Sequence, residues 1–247
     1  MAGPLGTAPA ASDDGVMTIT LITGGNKGLG FETARALIEA GHTVYLGARD
    51  RERGIAAAAA IGAHHVTLDV TDDASVAAAA EEIDAREGRL DVLVNNAGIA
   101  GALVAPHDTT AAAVREVFET NAFGIVRVMH AFIPLLERSA APVVVNVGSG
   151  LGSLTVTNDP TRIESQLIGI GYPSSKSAVN MITSQYARGL PRFRVNVVDP
   201  GYTATDLNGH RGTQTIEEGA AIIVRMASIG ADGPTGSFVA ASGPVAW

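Results

Sequence analysis

The chain has 247 residues and no cysteine, which excludes disulfide bonds, thiolate nucleophiles and zinc sites built on cysteine. It also lacks any apolar run of the length that a transmembrane helix needs. Basic residues are outnumbered, with 17 Lys and Arg against 25 Asp and Glu, so the formal net charge is -8. This balance argues against a broad surface for nucleic acid or anionic membranes, since both need clustered cations. We expect a soluble, cytoplasmic protein that binds a small molecule, with no nucleic-acid or membrane partner.

Spacings typical of metal ligands are missing as well. The six histidines form no pair four residues apart and no HExxH arrangement, and they stand at positions 42, 64, 65, 107, 130 and 210. We therefore expect no metal site.

The first fifteen residues, MAGPLGTAPAASDDG, are small and polar, without the basic and apolar stretches of a signal peptide. We predict a flexible tail over 1–15. The remaining 16–247 have an ordinary size for one α/β domain.

From Thr18 onward, short β-branched runs alternate with longer amphipathic segments. Several runs are apolar on both faces and are separated by crossover-length connections, which is typical of buried parallel strands. The pattern predicts a doubly wound α/β fold with a mostly parallel, seven-stranded sheet. Strands are predicted at 18–23, 42–48, 64–69, 90–97, 142–149, 193–200 and 236–242, and helices near 28–40, 50–60, 72–86, 110–137, 173–189 and 215–229. Ligands of such sheets bind beyond the carboxyl ends of the strands.

A glycine-rich turn, TGGNKGLG at 23–30, follows the first predicted strand and opens a helix. Gly24 permits a sharp turn, while Gly28 and Gly30 let a phosphate approach the free N–H groups of the helix. A plain strand-to-helix turn is the alternative interpretation, and the flanking strand and helix disfavour it.

The end of the second strand indicates which dinucleotide this turn would bind. An acidic residue there hydrogen-bonds the ribose of NAD, but this chain has Ala48 followed by Arg49, with Lys27 inside the glycine turn. Two cations favour a 2′-phosphate and hence NADP over NAD. Asp50 remains an alternative ribose ligand if the strand ends later, and a solvated Arg–Asp pair at a helix start is another possibility.

With these motifs in order, the chain resembles the classical short-chain dehydrogenase/reductase family, and within it the carbonyl-reductase-like members. The resemblance spans 18 to about 205 and includes LDV at 68–70, NNAG at 95–98, ETNAFG around Asn121, and PG at 200–201. It implies a Rossmann fold, a catalytic tetrad of Asn121, Ser149, Tyr172 and Lys176, and a dimer or tetramer formed through the long helices. The cofactor contacts that the motifs imply are Thr23, Gly24, Asn26, Lys27, Gly28, Leu29, Gly30, Arg49, Asp69, Val70, Asn95, Ala97, Gly98, Pro200, Gly201 and Thr203.

The spacing of Tyr172 and Lys176 allows shared chemistry, because positions i and i+4 lie on the same face of a helix. Pro173 suits the first turn of that helix. A nearby ammonium and an oxidised nicotinamide would each lower the pKa of a phenol, making Tyr172 a workable acid or base. Ser149 can hydrogen-bond the same substrate oxygen. By resemblance, Lys176 also reaches the nicotinamide ribose, and Asn121 holds a water in a proton relay. Taken singly, each residue also has a structural explanation as a cap, a helical polar residue or a surface cation.

Two segments are expected to form the substrate side. Ser149 and Tyr172 are 23 residues apart, more than the family usually has, so 150–171 holds an insert that resembles that of carbonyl reductases. The polar segment 202–215 suits a lid. Leu151, Leu154, Ile170, Tyr202 and Leu207 are predicted to line an apolar pocket.

These features predict NADPH-dependent reduction of ketones or aldehydes, reversible as alcohol oxidation. One alternative is a 3-oxoacyl-carrier-protein reductase, which would want a basic patch beside the cleft, where the sequence has scattered cations such as Arg162 and Arg211. Another, from a different class, is an NADP-sensing regulator without catalysis, which the intact tetrad disfavours.

Overall fold

A computed structural model of the chain describes residues 17–102 and 104–247. The predicted tail, 1–15, and the proposed first residue of the domain, at 16, lie outside the described residues. Within the described ranges, no helix is both long and apolar enough to cross a membrane.

The structure is built on one sheet, with the strand order β3-β2-β1-β4-β5-β6-β7-β8. Seven strands run parallel and the eighth pairs antiparallel with its neighbour. The predicted seven strands are confirmed, and the short last strand is an addition. The strands are β1 Ile19–Thr23, β2 Thr43–Ala48, β3 His64–Thr67, β4 Val92–Asn95, β5 Val143–Val147, β6 Arg194–Asp199, β7 Phe238–Ala240 and β8 Gly243–Pro244.

Helices connect the strands, close to the predicted positions. They are α1 Gly28–Glu39, α2 Arg51–Ile61, α3 Asp73–Glu87, α4 Ala111–Phe118, α5 Gly124–Leu136, α6 Leu154–Thr157, α7 Gly171–Gly189 and α8 Ile216–Ala227. The helix predicted over 110–137 is divided, because Glu119–Phe123 form a wider π-helical turn between α4 and α5. Such turns occur where an extra residue is accommodated in a helix.

The core has two layers, one on each face of the sheet. Helices α3, α5 and α7 pack on one face, and α1, α2 and α8 on the other. Successive residues of a strand serve opposite layers, because side chains alternate along a strand. In β4, Leu93 enters the first layer, whereas Val92 and Val94 enter the second. This two-sided burial explains the continuous apolar runs in the sequence.

The chain order reverses between β1 and β4, which are neighbours in the sheet although β2 and β3 lie between them in sequence. Connections leave this point in opposite directions and open a crevice at the carboxyl ends of the strands. The glycine turn follows β1 and the NNAG segment follows β4, so both motifs meet at the crevice.

Candidate active site

The glycine turn is packed directly against the residues after β4. Asn96 donates its side-chain Nδ2 to the carbonyls of Thr23 and Gly24, at 2.9 and 3.1 Å. The Thr23 hydroxyl accepts from the backbone N–H of Ala97 at 3.1 Å. A β-carbon on Gly24, whose φ is +63°, would lie 3.0 Å from Ala97 Cα. Backbone therefore lines this part of the crevice closely, as a phosphate-binding turn requires.

Asn95 has a different task from its neighbour. Its side chain is 4% exposed and donates to Asn146 Oδ1, at 2.8 Å, across β4 and β5. Asn146 in turn donates to the Thr183 hydroxyl of α7 at 2.9 Å. This buried chain of hydrogen bonds fixes the centre of the sheet relative to the helix that carries Tyr172.

The residues after β2 decide between the interpretations of Arg49 and Asp50. β2 ends at the buried Ala48, and Arg49 is exposed directly beyond it. Asp50 caps α2, accepting from the Arg53 backbone N–H at 3.1 Å and pairing with the Arg53 guanidinium at 3.3 Å. Asp50 is therefore engaged by Arg53 as a helix cap, which disfavours it as a ribose ligand and leaves Arg49 as the cation at the end of the strand.

Cations cluster on the outer side of the glycine turn. Lys27 and Arg53 line one groove together with Asn26. Lys27 Nζ lies 2.6 Å from Asp206 Oδ2 in the predicted lid, and both side chains are more than half exposed. Leu29, in the first turn of α1, packs against the core layer that contains α8. The groove thus combines positive charge with the free N-terminus of α1.

The predicted adenine contacts lie at the far end of this region. Burial opposes ionisation of Asp69, but the backbone N–H and hydroxyl of Thr71, with Arg49 and Arg127, lower its pKa. Arg49 thus contributes positive charge near the Asp69 carboxylate. Val70 is buried and packs against Gly124, at the start of α5.

Tyr172 and Lys176 lie one turn apart near the start of α7, and Pro173 occupies its first turn, as predicted. Ser149, just after β5, lies close enough to the Tyr172 phenol to lower its pKa. Lys176 is 5% exposed, lies 5.5 Å from the centre of the Tyr172 ring, and donates to the Val147 carbonyl at 2.7 Å. The structure therefore brings the three side chains together.

Asn121 completes the group from the π-helical turn. Its Nδ2 donates to the Ile99 carbonyl at 2.9 Å and to the Ser175 hydroxyl at 3.0 Å, and its Oδ1 accepts from the Ile99 N–H at 2.8 Å. A β-carbon on Gly98 would lie 3.4 Å from Asn121 Oδ1 and 3.8 Å from Lys176 Nζ. The π-helical turn thus directs the Asn121 side chain into the interior, toward Gly98, which Lys176 also approaches.

Within the protein, the pKa values of Tyr172 and Lys176 differ from the sequence-based expectation that Lys176 lowers the pKa of Tyr172. Burial raises the pKa of Tyr172 to about 12, against the lowering effect of Ser149. Burial lowers the pKa of Lys176 to about 8. The expected lowering by Lys176 does not prevail, because both groups lose hydration and the ammonium is directed at the Val147 carbonyl. The oxidised nicotinamide, the second cause in that expectation, belongs to the cofactor.

The chain after β6 approaches the glycine turn. Pro200 and Gly201, whose φ is +73°, begin this segment. The Thr203 hydroxyl is 4% exposed and contacts the Pro200 carbonyl and the Gln214 amide, both at 3.1 Å. A β-carbon on Gly28 would instead lie 3.9 Å from the Thr205 methyl group. Both backbone groups of Thr203 are engaged, since its N–H donates to the Gly201 carbonyl at 3.0 Å and its carbonyl accepts from the Asn208 side chain at 2.8 Å, whereas Thr205 presents its side chain to the glycine turn.

Comparison with known proteins agrees with this geometry. The short chain dehydrogenase family model matches residues 18–216. The chain belongs to the short-chain dehydrogenase family. It is 38% identical over 225 residues to the short-chain dehydrogenase anuI of Penicillium roqueforti, covering 86% of this chain and 89% of that protein.

Solved structures of two reductases are similar to this short-chain dehydrogenase. Salutaridine reductase from Papaver somniferum is 30% identical, with a TM-score of 0.80 over 90% of this chain and 99% of that one. NADPH-bound carbonyl reductase from chicken fatty liver is 25% identical, with a TM-score of 0.82 over 94% and 99%. The protein is an oxidoreductase with carbonyl-reductase relatives.

The predicted pocket residues of this short-chain dehydrogenase are spread over the insert and the lid. Leu151 lies in a short helical turn directly after Ser149, and Ile170 directly precedes α7. Leu154 begins α6, whose neighbouring residues Ser153 and Thr155 donate to the carbonyls of Ala246 and Trp247. Tyr202 and Leu207, in the lid, are 37% and 43% exposed. Leu154 therefore lies beside the C-terminal segment, while Leu151 and Ile170 flank Ser149 and Tyr172.

Sequence reasoning missed four polar residues of the site. Arg53 is one of several arginines at the start of α2, and the sequence does not distinguish it from the others. Ser175 resembles an ordinary helical serine, although it accepts from Asn121 and donates to the Tyr172 carbonyl. Thr205 stands two residues beyond Thr203, the threonine that the sequence predicts as the cofactor contact. Asp199 ends β6, where the strand-end rule could have singled it out. Elsewhere in the described ranges, no three His, Asp or Glu side chains converge as metal ligands.

Proposed function

We propose that this short-chain dehydrogenase reduces ketones or aldehydes with NADPH and catalyses the reverse oxidation of alcohols. The proposal rests on one observation: Ser149, Tyr172 and Lys176 lie together beside a glycine turn lined by backbone groups. The similar solved structures of carbonyl reductase and salutaridine reductase support the same reaction class.

The residues around the crevice fit a nicotinamide dinucleotide. Close backbone approach at Gly24 and the N-terminus of α1 suit the pyrophosphate. Lys27, Arg49 and Arg53 suit a 2′-phosphate, since guanidinium groups bind phosphate oxygens in pairs. Asp69 and Val70 would hold the adenine, and the segment of Thr203 and Thr205 would hold the carboxamide. When bound, the reduced nicotinamide supplies the hydride.

The protein's own groups handle the proton. A phenol whose pKa is about 12 is protonated at neutral pH, so Tyr172 can donate its proton to a carbonyl oxygen that gains charge. The Ser149 hydroxyl stabilises the same oxygen. Lys176 would orient the ribose of the bound cofactor and offers a positive charge. Asn121, beside it, is hydrogen-bonded to the backbone of Ile99.

Replacing Tyr172 with Phe tests the reaction. We expect the variant to lose at least about 100-fold in kcat, because it loses the proton donor, while NADPH binding followed by fluorescence stays near the wild-type value. Ser184→Ala, on the same helix but away from the cleft, is the matched control. Full turnover by Tyr172→Phe would contradict the mechanism.

The alternative reactions receive less support from the geometry. A carrier-protein reductase needs free cations beside the cleft, yet Arg162 pairs with Glu164 at 3.0 Å and Arg211 donates to the Asn208 carbonyl at 3.0 Å. A non-catalytic NADP sensor would not need the assembled tetrad. The exposed apolar side chains of Ile170, Tyr202 and Leu207 favour an apolar carbonyl compound as substrate. We further propose a cytoplasmic homo-oligomer.

A further inference from the structure

Asp199 is a buried carboxylate beside the reaction centre that the proposed mechanism does not use. It is 8% exposed, at the end of β6, and its Oδ1 accepts the Gly201 backbone N–H at 3.0 Å. The pairing of Val147 with Val198 brings this strand end next to the start of the Ser149 segment. Asp199 therefore lies between the segment that carries Ser149 and the one that begins the lid.

The turn after Ser149 is shaped around this carboxylate. A β-carbon on Gly150 would lie 3.0 Å from Asp199 Oδ2 and 2.9 Å from Glu164 Oε1. Only glycine fits between the two acidic side chains without displacing one of them. Glu164, from the insert, is balanced by Arg162 at 3.0 Å. Asp199 has no such ion pair among the described residues and is held by backbone instead.

Four charged or titratable side chains lie around Asp199 and come from two elements. Tyr172 and Lys176 belong to α7, and Arg162 and Glu164 belong to the insert. Burial favours the neutral acid and raises the pKa of Asp199, whereas the backbone N–H groups of Gly201 and Gly150 favour the carboxylate. The Asp199 charge raises the pKa of both Lys176 and Tyr172. The Asp199 charge therefore favours the charged form of Lys176 and the protonated form of Tyr172.

We propose that Asp199 is a positioning residue of the active site: held by the Gly201 N–H and packed against Gly150, it aligns the Ser149 turn with the segment after β6 and places a buried negative charge beside Tyr172 and Lys176. This proposal rests on the proposed function for its catalytic meaning. Its electrostatic part concerns groups of the protein alone.

The lysine content of the chain makes a direct test possible. Only Lys27 and Lys176 are present, so a protein labelled with ¹³C at the lysine ε-carbon gives two signals. We expect the Lys176 signal of the wild type to titrate near pH 8, the value set by burial and Asp199. In Asp199→Asn the midpoint should fall by about one pH unit, as expected for the loss of a nearby charge in a partly buried site.

Controls separate charge from structure. The Lys27 signal is an internal reference and should be the same in both proteins. Asp159→Asn removes a carboxylate from the insert at a site engaged by Thr161, and should leave the Lys176 midpoint unchanged. Asp199→Ser removes the same charge with a smaller side chain, so it should reproduce the shift if Asp199→Asn does not fold. An unshifted Lys176 midpoint in a folded neutral variant would overturn the proposal.

Kinetics connect this role to the reaction. In Asp199→Asn, carbonyl reduction should decline at a pH about one unit lower than in the wild type, and alcohol oxidation should rise at a correspondingly lower pH. A fall in kcat without movement of either profile would indicate a purely structural residue and contradict the proposal. If the wild type reduces no carbonyl compound, the proposed function fails, but the NMR titration still decides whether Asp199 controls Lys176.

Discussion

The proposed preference for NADPH depends on a single residue, Arg49. It follows the buried Ala48 at the end of β2 and is exposed, while its neighbour Asp50 is engaged as a helix cap. A guanidinium at this place would stabilise a 2′-phosphate, which a carboxylate there would repel.

Arg49→Ala should therefore reduce the preference for NADPH over NADH. We expect the ratio of kcat/KM values for the two cofactors to fall about tenfold or more, the size of a hydrogen bond between charged groups. Steady-state kinetics with both cofactors measure the ratio. Arg51→Ala, two residues along in the exposed first turn of α2, is the control and should keep the wild-type ratio. An unchanged ratio in Arg49→Ala would refute this cofactor argument.

Among the secondary-structure elements, the strands and the start of α7 followed from the sequence, but the division of the helix over 110–137 did not. The strands were predictable because their apolar runs are buried on both faces, and the start of α7 was predictable from Pro173. The π-helical turn was not, since the periodicity of 110–137 shows no break and the wide turn depends on contacts of Asn121 with distant Ile99 and Ser175. Thr205 was missed for a similar reason, because its approach to Gly28 depends on the fold, whereas Asp199 could have been found from its place at the end of a strand.

Helices α5 and α7 also present apolar side chains at the surface. Val126 is 42% exposed on α5 and Met181 is 61% exposed on α7. These helices lie in the segments for which the sequence predicts subunit contacts.

We expect the wild type to be a dimer or tetramer, and the double variant Val126→Lys/Met181→Lys to be a smaller species, because burying two ammonium groups at an interface is costly. Light scattering coupled to gel filtration measures the mass. Ile55→Lys, at an exposed site on α2, should leave the assembly intact. A monomeric wild type would be evidence against this surface as an interface.

For the whole molecule, the active site has a cost in stability that depends on pH. Lys176 has a pKa of about 8 in the folded chain, below the value of about 10.4 for an unfolded lysine. Between these values the unfolded chain binds more protons, so raising the pH favours the folded state. Below about pH 8 both states hold the proton, and the full cost of burying the ammonium is present.

The free energy of unfolding of the wild type, relative to Lys176→Met, should therefore rise by about 1 kcal/mol between pH 7 and pH 9. Urea denaturation at several pH values measures the difference. Lys27→Met, which replaces the exposed lysine, should follow the wild type across this range. A constant difference between wild type and Lys176→Met would mean that Lys176 does not lose its proton there.

The π-helical turn at Glu119–Phe123 has a consequence for how this chain can change during evolution. The wider turn accommodates one extra residue between α4 and α5, so losing a residue there would restore a regular α-helix and leave both helices packed as before. The change would be local, because Asn121 would lose the turn that directs it toward Ile99 and Ser175. A one-residue deletion at this place can therefore abolish the site while the fold persists.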